Sequence, residues 1–127
     1  SMKEVDVPGV RIAVAARSAY HLYLERGIAH ARLAPADGLA GSGELFRREG
    51  LEVLSGLRPR LLQELELTPG ARILDGRFMA VQQAMGVPRQ RAAAAEYVAA
   101  FAREVVASGQ VADLIARHGV RGLTLIE

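Results

Sequence analysis

The stretch RIAVAARSAYHLYLERGI, residues 11–28, decides the fold class. Its first five residues are an apolar, strand-like run that follows a Pro-Gly turn. Ser18 is a favoured N-cap residue, and residues 19–28 have the apolar spacing of a helix with a glycine near its end. A short apolar strand followed directly by a helix predicts an α/β fold with a mostly parallel sheet.

The same alternation of strand and helix continues along the chain. We expect a single three-layer α/β lobe in which helices flank a mostly parallel five-stranded sheet. After the first strand and helix, the patterns predict strands over residues 31–34, 51–54, 71–74 and 78–85, and helices over residues 39–48 and 57–67.

The alternation of predicted strands and helices ends at Pro88. Residues 89–108 predict one long helix with the apolar stripe Ala94, Tyr97, Val98, Phe101 and Val105. Residues 110–118 predict a shorter helix, and 120–127 an edge strand. We therefore divide the chain into a tag remnant and linker (1–9), a lobe (10–88) and a C-terminal helical extension (89–127).

Composition excludes several classes of function. The chain has 127 residues and a formal net charge of +2, and the basic residues, nearly all arginine, are scattered. Nucleic-acid binding requires basic residues clustered on one face, so we expect no nucleic-acid partner. The absence of cysteine excludes disulfides and thiolate chemistry. No segment is apolar and long enough for membrane insertion, and no ligand spacing predicts a metal or other cofactor.

Candidate catalytic residues have simpler interpretations. Ser18 and His21 could form a nucleophile and base, but an N-cap serine with a surface histidine is favoured because a cap requires only Ser18. Asp75-Gly76 is typical of a turn rather than a catalytic acid. Gly38, Gly41 and Gly43 do not follow a phosphate-binding order and indicate a flexible loop or poor helix.

Two junctions between strand and helix are candidate ligand sites. One includes Arg17 and Ser18, and the other runs from Ser55 to Arg58. Ligands of open α/β sheets bind outside the carboxyl ends of strands, where helix N-termini offer free N–H groups. Arg17 and Arg58 would add guanidinium groups suited to a carboxylate. On spacing alone, ordinary caps with surface arginines remain the simpler interpretation.

The order of these elements resembles the second half of extracytoplasmic solute-binding proteins of family 3, the receptors of ABC importers for amino acids and related molecules. The resemblance spans about residues 7–122. It is carried by RIAVAARSAYHLYLERGI (11–28), LEVLSGLRPRLLQEL (51–65) and the stretch from ARILDGRFMAVQQAMGVPR (71–89) to VVASGQVADLIARHGVRG (105–122). Order and spacing carry it, since no short motif is diagnostic.

The resemblance implies a periplasmic-binding-protein-like II fold, in which a solute is clamped between two lobes joined by crossover strands. This chain would supply the second lobe, and residues 77–88 would be the return crossover strand. Gln82 would then lie beside the cleft. The full-length parent would be periplasmic or otherwise extracytoplasmic, and would deliver a small-molecule solute to an ABC transporter permease without catalysing a reaction.

Binding positions follow from the same resemblance. Members that bind amino acids have a glycine and two hydroxyl residues after the first strand, which hold the ligand carboxylate. The matching residues are Arg17, Ser18 and Ala19. The aspartate that pairs with the ligand ammonium corresponds to Gly56, so a small, anionic solute is expected rather than an α-amino acid. The candidate ligand-binding residues are Arg17, Ser18, Ala19, Tyr20, Ser55, Gly56, Arg58 and Gln82.

Two alternatives stay open at this point. The same lobes occur in sensor or interaction modules of signalling receptors, and some relatives are enzymes that resemble cyclohexadienyl dehydratase. We also expect this chain to associate with itself as a homodimer, because the apolar stripe of the long helix would otherwise be exposed.

Overall fold

The computed structural model describes residues 2–125, apart from the side chain of Met2, and the chain divides after Val81 into two compact units. The first unit is an α/β lobe, and the second is a pair of helices. The elements of the first are α1 (Met2–Val5), β1 (Arg11–Ala15), α2 (Ala19–Gly27), β2 (Arg32–Ala36), α3 (Gly38–Glu49), β3 (Val53–Leu54) and α4 (Arg58–Leu67), and those of the second are α5 (Ala92–Ala107) and α6 (Gln110–Arg117).

The first unit contains a three-stranded parallel sheet with the order β2-β1-β3. β1 lies in the centre, and Ile12 pairs with Leu33 on one side and with Val53 on the other. The apolar residues of β1 after Arg11 are all buried, as expected for a strand covered on both faces. The crossover from β1 to β2 and the crossover from β2 to β3 run in opposite directions across the sheet. Because parallel crossovers are right-handed, α2 and α3 are expected on opposite faces. The α/β class predicted from the sequence is confirmed.

The core forms where α2 packs on the sheet. Val14 and Ala15 of β1 contact Tyr20 and Leu24 of α2, and Leu24 is only 2 % exposed. Burying a leucine side chain contributes about 1.5–3 kcal/mol. Further apolar side chains cover this cluster: Ile28, Leu33, Leu57, Phe78 and Met79.

A buried ion cluster joins α3 to α4. Glu64 is 3 % exposed, and its carboxylate accepts hydrogen bonds from the guanidinium groups of Arg47 and Arg60. Gly43 provides the space for this carboxylate, since a Cβ there would overlap it. The glycine that weakens α3 intrinsically is therefore required by the contact between the helices.

The residues that precede β1, which the sequence predicted as a tag remnant and linker, pack into the first unit. Val5 is buried, and the Asp6 carboxylate accepts hydrogen bonds from the backbone N–H groups of residues 29–31 at 2.8–3.2 Å. These bonds, chiefly that from Ala31, lower the pKa of Asp6. Asp6 therefore fixes the loop that leads into β2.

Residues 71–91 contain no helix or strand, although the sequence predicted strands over 71–74 and 78–85. A physical reason is the length of β3, because two residues present few backbone groups with which a further strand could pair. Phe78 and Met79 pack on the core from irregular backbone instead.

The second unit consists of α5 and α6, joined at Gly109, which adopts the left-handed conformation with φ +80°. Neither helix contains a buried residue, and Tyr97 is 73 % exposed. Residues 120–125 form no strand, and the rest of the predicted edge strand lies outside the described residues. Within residues 2–125, every helix falls short of the length and apolar character that crossing a membrane requires.

Candidate functional site

A cavity of about 340 Å³ lies at the carboxyl end of the central strand. The end of β1, the starts of α2 and α3, and two apolar side chains form its walls. In an open sheet with the order 2-1-3, the connections diverge beside the first strand, where such folds bind ligands. The lining residues are Ala15, Ala16, Arg17, Ser18, Ala19, Tyr20, Gly38, Leu39, Leu57 and Val81.

The turn between β1 and α2 forms one wall of the cavity. Arg17 has φ +60° and is the one residue other than glycine with positive φ among the described residues. This left-handed conformation costs a residue with a side chain about 1–2 kcal/mol. Glycine is the residue that adopts this conformation without strain.

Two hydrogen bonds hold the turn. The Arg17 backbone N–H donates to Nδ1 of His21 at 3.0 Å, and the Ser18 hydroxyl accepts from the His21 backbone N–H at 3.1 Å. Ser18 is therefore the N-cap of α2, as the sequence predicted. The structure corrects the interpretation of His21 as a surface residue, because it is 9 % exposed and its imidazole supports the turn. Ser18 contacts the backbone of His21 rather than its ring.

Tyr20 supplies an unpartnered hydroxyl group. The residue lines the cavity and is 4 % exposed, and its buried hydroxyl forms no hydrogen bond within the described part of the chain. Burial raises the pKa of Tyr20. The protonated hydroxyl is a donor suited to an anionic ligand atom.

The start of α3 forms the wall opposite the turn, and the sequence analysis did not identify it as part of a site. Gly38 and Leu39 line the cavity, and the N-cap residue Asp37 forms no capping hydrogen bond through its side chain. The first N–H groups of α3 therefore lack a capping side chain, and the positive end of its dipole lies here. The sequence signal that could have identified this wall is the turn directly after a parallel strand. Such a turn lies at the carboxyl edge of the sheet, and so Asp37-Gly38 lies at the same edge as Arg17.

The junction after β3 contributes less to the cavity than the sequence predicted. The Ser55 hydroxyl and backbone N–H both donate to the Ala13 carbonyl, at 3.0 and 2.9 Å. The Arg58 guanidinium donates to the Gly76 carbonyl at 2.6 Å. Gly56 lies beside Leu61. None of Ser55, Gly56 and Arg58 lines the cavity, whereas the intervening Leu57 does.

The remaining candidate, Gln82, belongs to the second unit and is exposed, as is Gln83. Arg17, Ser18, Ala19 and Tyr20 are thus the predicted residues that the structure brings together around one cavity.

The lining of the cavity combines three polar residues with an apolar remainder. Arg17, Ser18 and Tyr20 supply polar groups, and the other lining residues are glycine, alanine, leucine or valine. Among the described residues, none of those that line the cavity is acidic. Across residues 2–125, no three histidine, aspartate or glutamate side chains come together as a metal site requires.

No protein-family model, curated protein or solved structure matches this chain.

Proposed function

We propose that this chain is the second lobe of an extracytoplasmic solute-binding protein and that it binds a small carboxylate which lacks an ammonium group. The observation that carries the proposal is the cavity at the carboxyl end of β1, where Arg17, Ser18 and Tyr20 meet the start of α3. These groups can donate hydrogen bonds or offset negative charge. The apolar remainder of the lining suits a ligand with a compact hydrocarbon body.

The left-handed conformation of Arg17 supports the family assignment within this proposal. In amino-acid-binding receptors the corresponding position is glycine, and here the backbone keeps the conformation that glycine favours. The arginine side chain adds a positive charge that glycine would not. We therefore propose that the turn has kept its backbone form while its ligand preference has moved from amino acids to simple acids.

The full-length parent, in this proposal, is periplasmic or extracytoplasmic and delivers its solute to an ABC transporter permease. Its sheet would contain five strands, because residues 71–74 and 78–85 would pair as strands when the other lobe is present. Residues 77–88 would be the return crossover strand, and Gln82 would lie beside the cleft. Binding without catalysis is the proposed activity.

A thermal-shift screen tests this function. The panel contains small acids, the matching amines and the matching α-amino acids, including butyrate, butylamine and 2-aminobutyrate. A ligand present at 100 times its dissociation constant stabilises the folded state by about 2.7 kcal/mol. We expect acids to raise the melting temperature and the other two classes to have no effect. A panel in which amino acids stabilise better than acids would contradict the proposal.

A further inference from the structure

We infer that His21 is the positioning residue of the cavity and that it holds Arg17 in place only as a neutral imidazole. The observation is the hydrogen bond of 3.0 Å from the Arg17 backbone N–H to Nδ1 of His21. This bond closes the turn around the one described residue that has both a side chain and positive φ. The inference about the turn stands on this geometry, and only its consequence for ligand binding rests on the proposed function.

The protonation state of His21 follows from the direction of that bond. A backbone N–H can only donate, so Nδ1 must present its lone pair, and the ring proton lies on Nε2. Nε2 faces the Glu25 carboxylate at 3.5 Å. The imidazole is therefore oriented at both nitrogens, with the turn on one side and an acceptor on the other.

Protonation of Nδ1 would place two donors face to face and break the bond to Arg17. Glycine at position 17 would tolerate this loss, because it enters the left-handed conformation without steric cost. Arginine pays a steric cost in the left-handed conformation. The turn of this chain therefore depends on the acceptor Nδ1 of His21 more than a turn with glycine at position 17 would. Acidification is therefore expected to release Arg17 from the conformation that presents it to the cavity.

The other described charged groups near the turn between β1 and α2 form no such pH-sensitive bond with Arg17. Glu25 faces Nε2 from the same helix, at 3.5 Å. On the strands that pack against α2, the charged residues are Arg11 and Arg32, which begin β1 and β2 at the edge opposite the turn. Asp37 follows β2 at the edge of the cavity and is exposed.

The consequence for a bound acid has a characteristic sign. If His21 acted as a simple positive charge, acidification would strengthen the binding of an anion. Because the turn requires neutral His21, acidification instead weakens binding, by up to about tenfold per pH unit once the imidazole is protonated. The two accounts therefore predict opposite slopes.

The test measures amide hydrogen exchange of Arg17 in the whole chain between about pH 7.5 and 5.5. Rates are expressed as protection relative to the intrinsic exchange rate at each pH. The variants are His21→Asn, which keeps a side-chain acceptor near the position of Nδ1 without titrating, and His21→Leu, which has none. We expect protection to fall with pH in the wild type, to stay constant in His21→Asn and to be absent in His21→Leu.

Constant protection of the wild-type amide across this range would overturn the inference, as would a fall of equal size in His21→Asn. The comparison of these two proteins remains decisive even if His21→Leu does not fold. Titration with butyrate at both ends of the range then separates the two proposals. If butyrate binds the wild type more weakly at low pH, and this pH dependence is lost in His21→Asn, both proposals are supported. Stronger binding of butyrate at low pH overturns the positioning role of His21. Absence of butyrate binding with the expected exchange profile would count against the proposed function alone.

Discussion

The lobe formed by residues 2–81 and the helical unit formed by residues 82–125 bury their apolar residues very differently. In the lobe, Ile12, Val14 and Leu24 are almost fully buried between helices and sheet. In the helical unit, neither α5 nor α6 contains a buried residue, and Tyr97 and Phe101 are exposed. The two units have sequences of similar apolar character but differ in what covers their apolar faces.

This difference separates what the chain stabilises by itself from what requires a partner. Apolar burial is the main favourable contribution to folding, so a unit that lacks it is held mainly by local helix formation. The cavity lies on the lobe, where β1 and the turn at Arg17 are anchored by a core. The helical unit instead presents an apolar surface suited to association.

The largest effect is expected from truncating the core. Leu24→Ala removes a side chain packed against β1 and should reduce the free energy of unfolding by about 2–5 kcal/mol. The matched change Leu114→Ala, on the exposed face of α6, should alter it by less than about 0.5 kcal/mol. Urea denaturation monitored by circular dichroism measures both. Similar losses for the two variants would erase the contrast between the units.

The next effect concerns association through α5. We expect the wild-type chain to form a homodimer, and Phe101→Glu to weaken it at least about thirtyfold, because an aromatic contact is replaced by a buried charge. Ala99→Glu adds the same charge on another side of α5 and should leave the dimer intact. Light scattering during gel filtration gives the mass of each protein. A wild-type chain that stays monomeric at high concentration would contradict the expectation.

A smaller effect is expected at the turn of the cavity. Arg17→Gly and Arg17→Ala both remove the guanidinium group, but only glycine enters the left-handed conformation freely. We expect the glycine variant to unfold with a free energy about 0.5–1 kcal/mol higher than that of the alanine variant. Chemical denaturation compares them directly. An alanine variant of equal or greater stability would show that position 17 is not left-handed in solution.

The smallest effect is the pH dependence contributed by Glu52. Hydrogen bonds from Arg11 lower the pKa of Glu52 from its ordinary value of 4.5 to about 2. Because the folded-state pKa is lowered, the contribution to stability is complete above pH 4.5 and is lost as the pH falls towards 2. Both side chains are about two-fifths exposed, so solvent screens the pair.

Acid denaturation of Glu52→Gln should therefore be less steep than that of the wild type in this window. Arg11→Gln removes only the guanidinium partner and keeps the backbone N–H of residue 11, which donates to the Glu52 carboxylate at 2.8 Å, so it should flatten the curve less than Glu52→Gln does. A steep wild-type transition retained in both variants would assign the acid sensitivity of the lobe to other groups, such as Asp6.

The sequence predicted those parts of the lobe that depend on local pattern. The apolar run of β1 and the cap at Ser18 both follow from short-range rules, and the structure has both. The strands expected over 71–74 and 78–85 depend on a neighbour with which to pair, and β3 offers only two residues. Strand composition without a pairing partner does not produce a strand.

The site was predictable only in part for a related reason. Arg17 to Tyr20 follow β1 directly, so the position of a parallel strand end identified them. The contribution of Gly38 required knowledge that β2 lies beside β1, which the sequence does not state. The burial of His21 depends on a bond to the backbone of Arg17, whose positive φ is unexpected for an arginine.

The preference of the cavity for a simple acid can be measured by a residue-resolved NMR titration of this chain with butyrate and, in parallel, with 2-aminobutyrate. The two ligands differ only in the ammonium group. We expect butyrate to shift the amide signals of Arg17, Ser18, Gly38 and Leu39, and 2-aminobutyrate to shift them far less. Equal shifts with both ligands, or butyrate shifts at residues away from the cavity, would contradict this expectation.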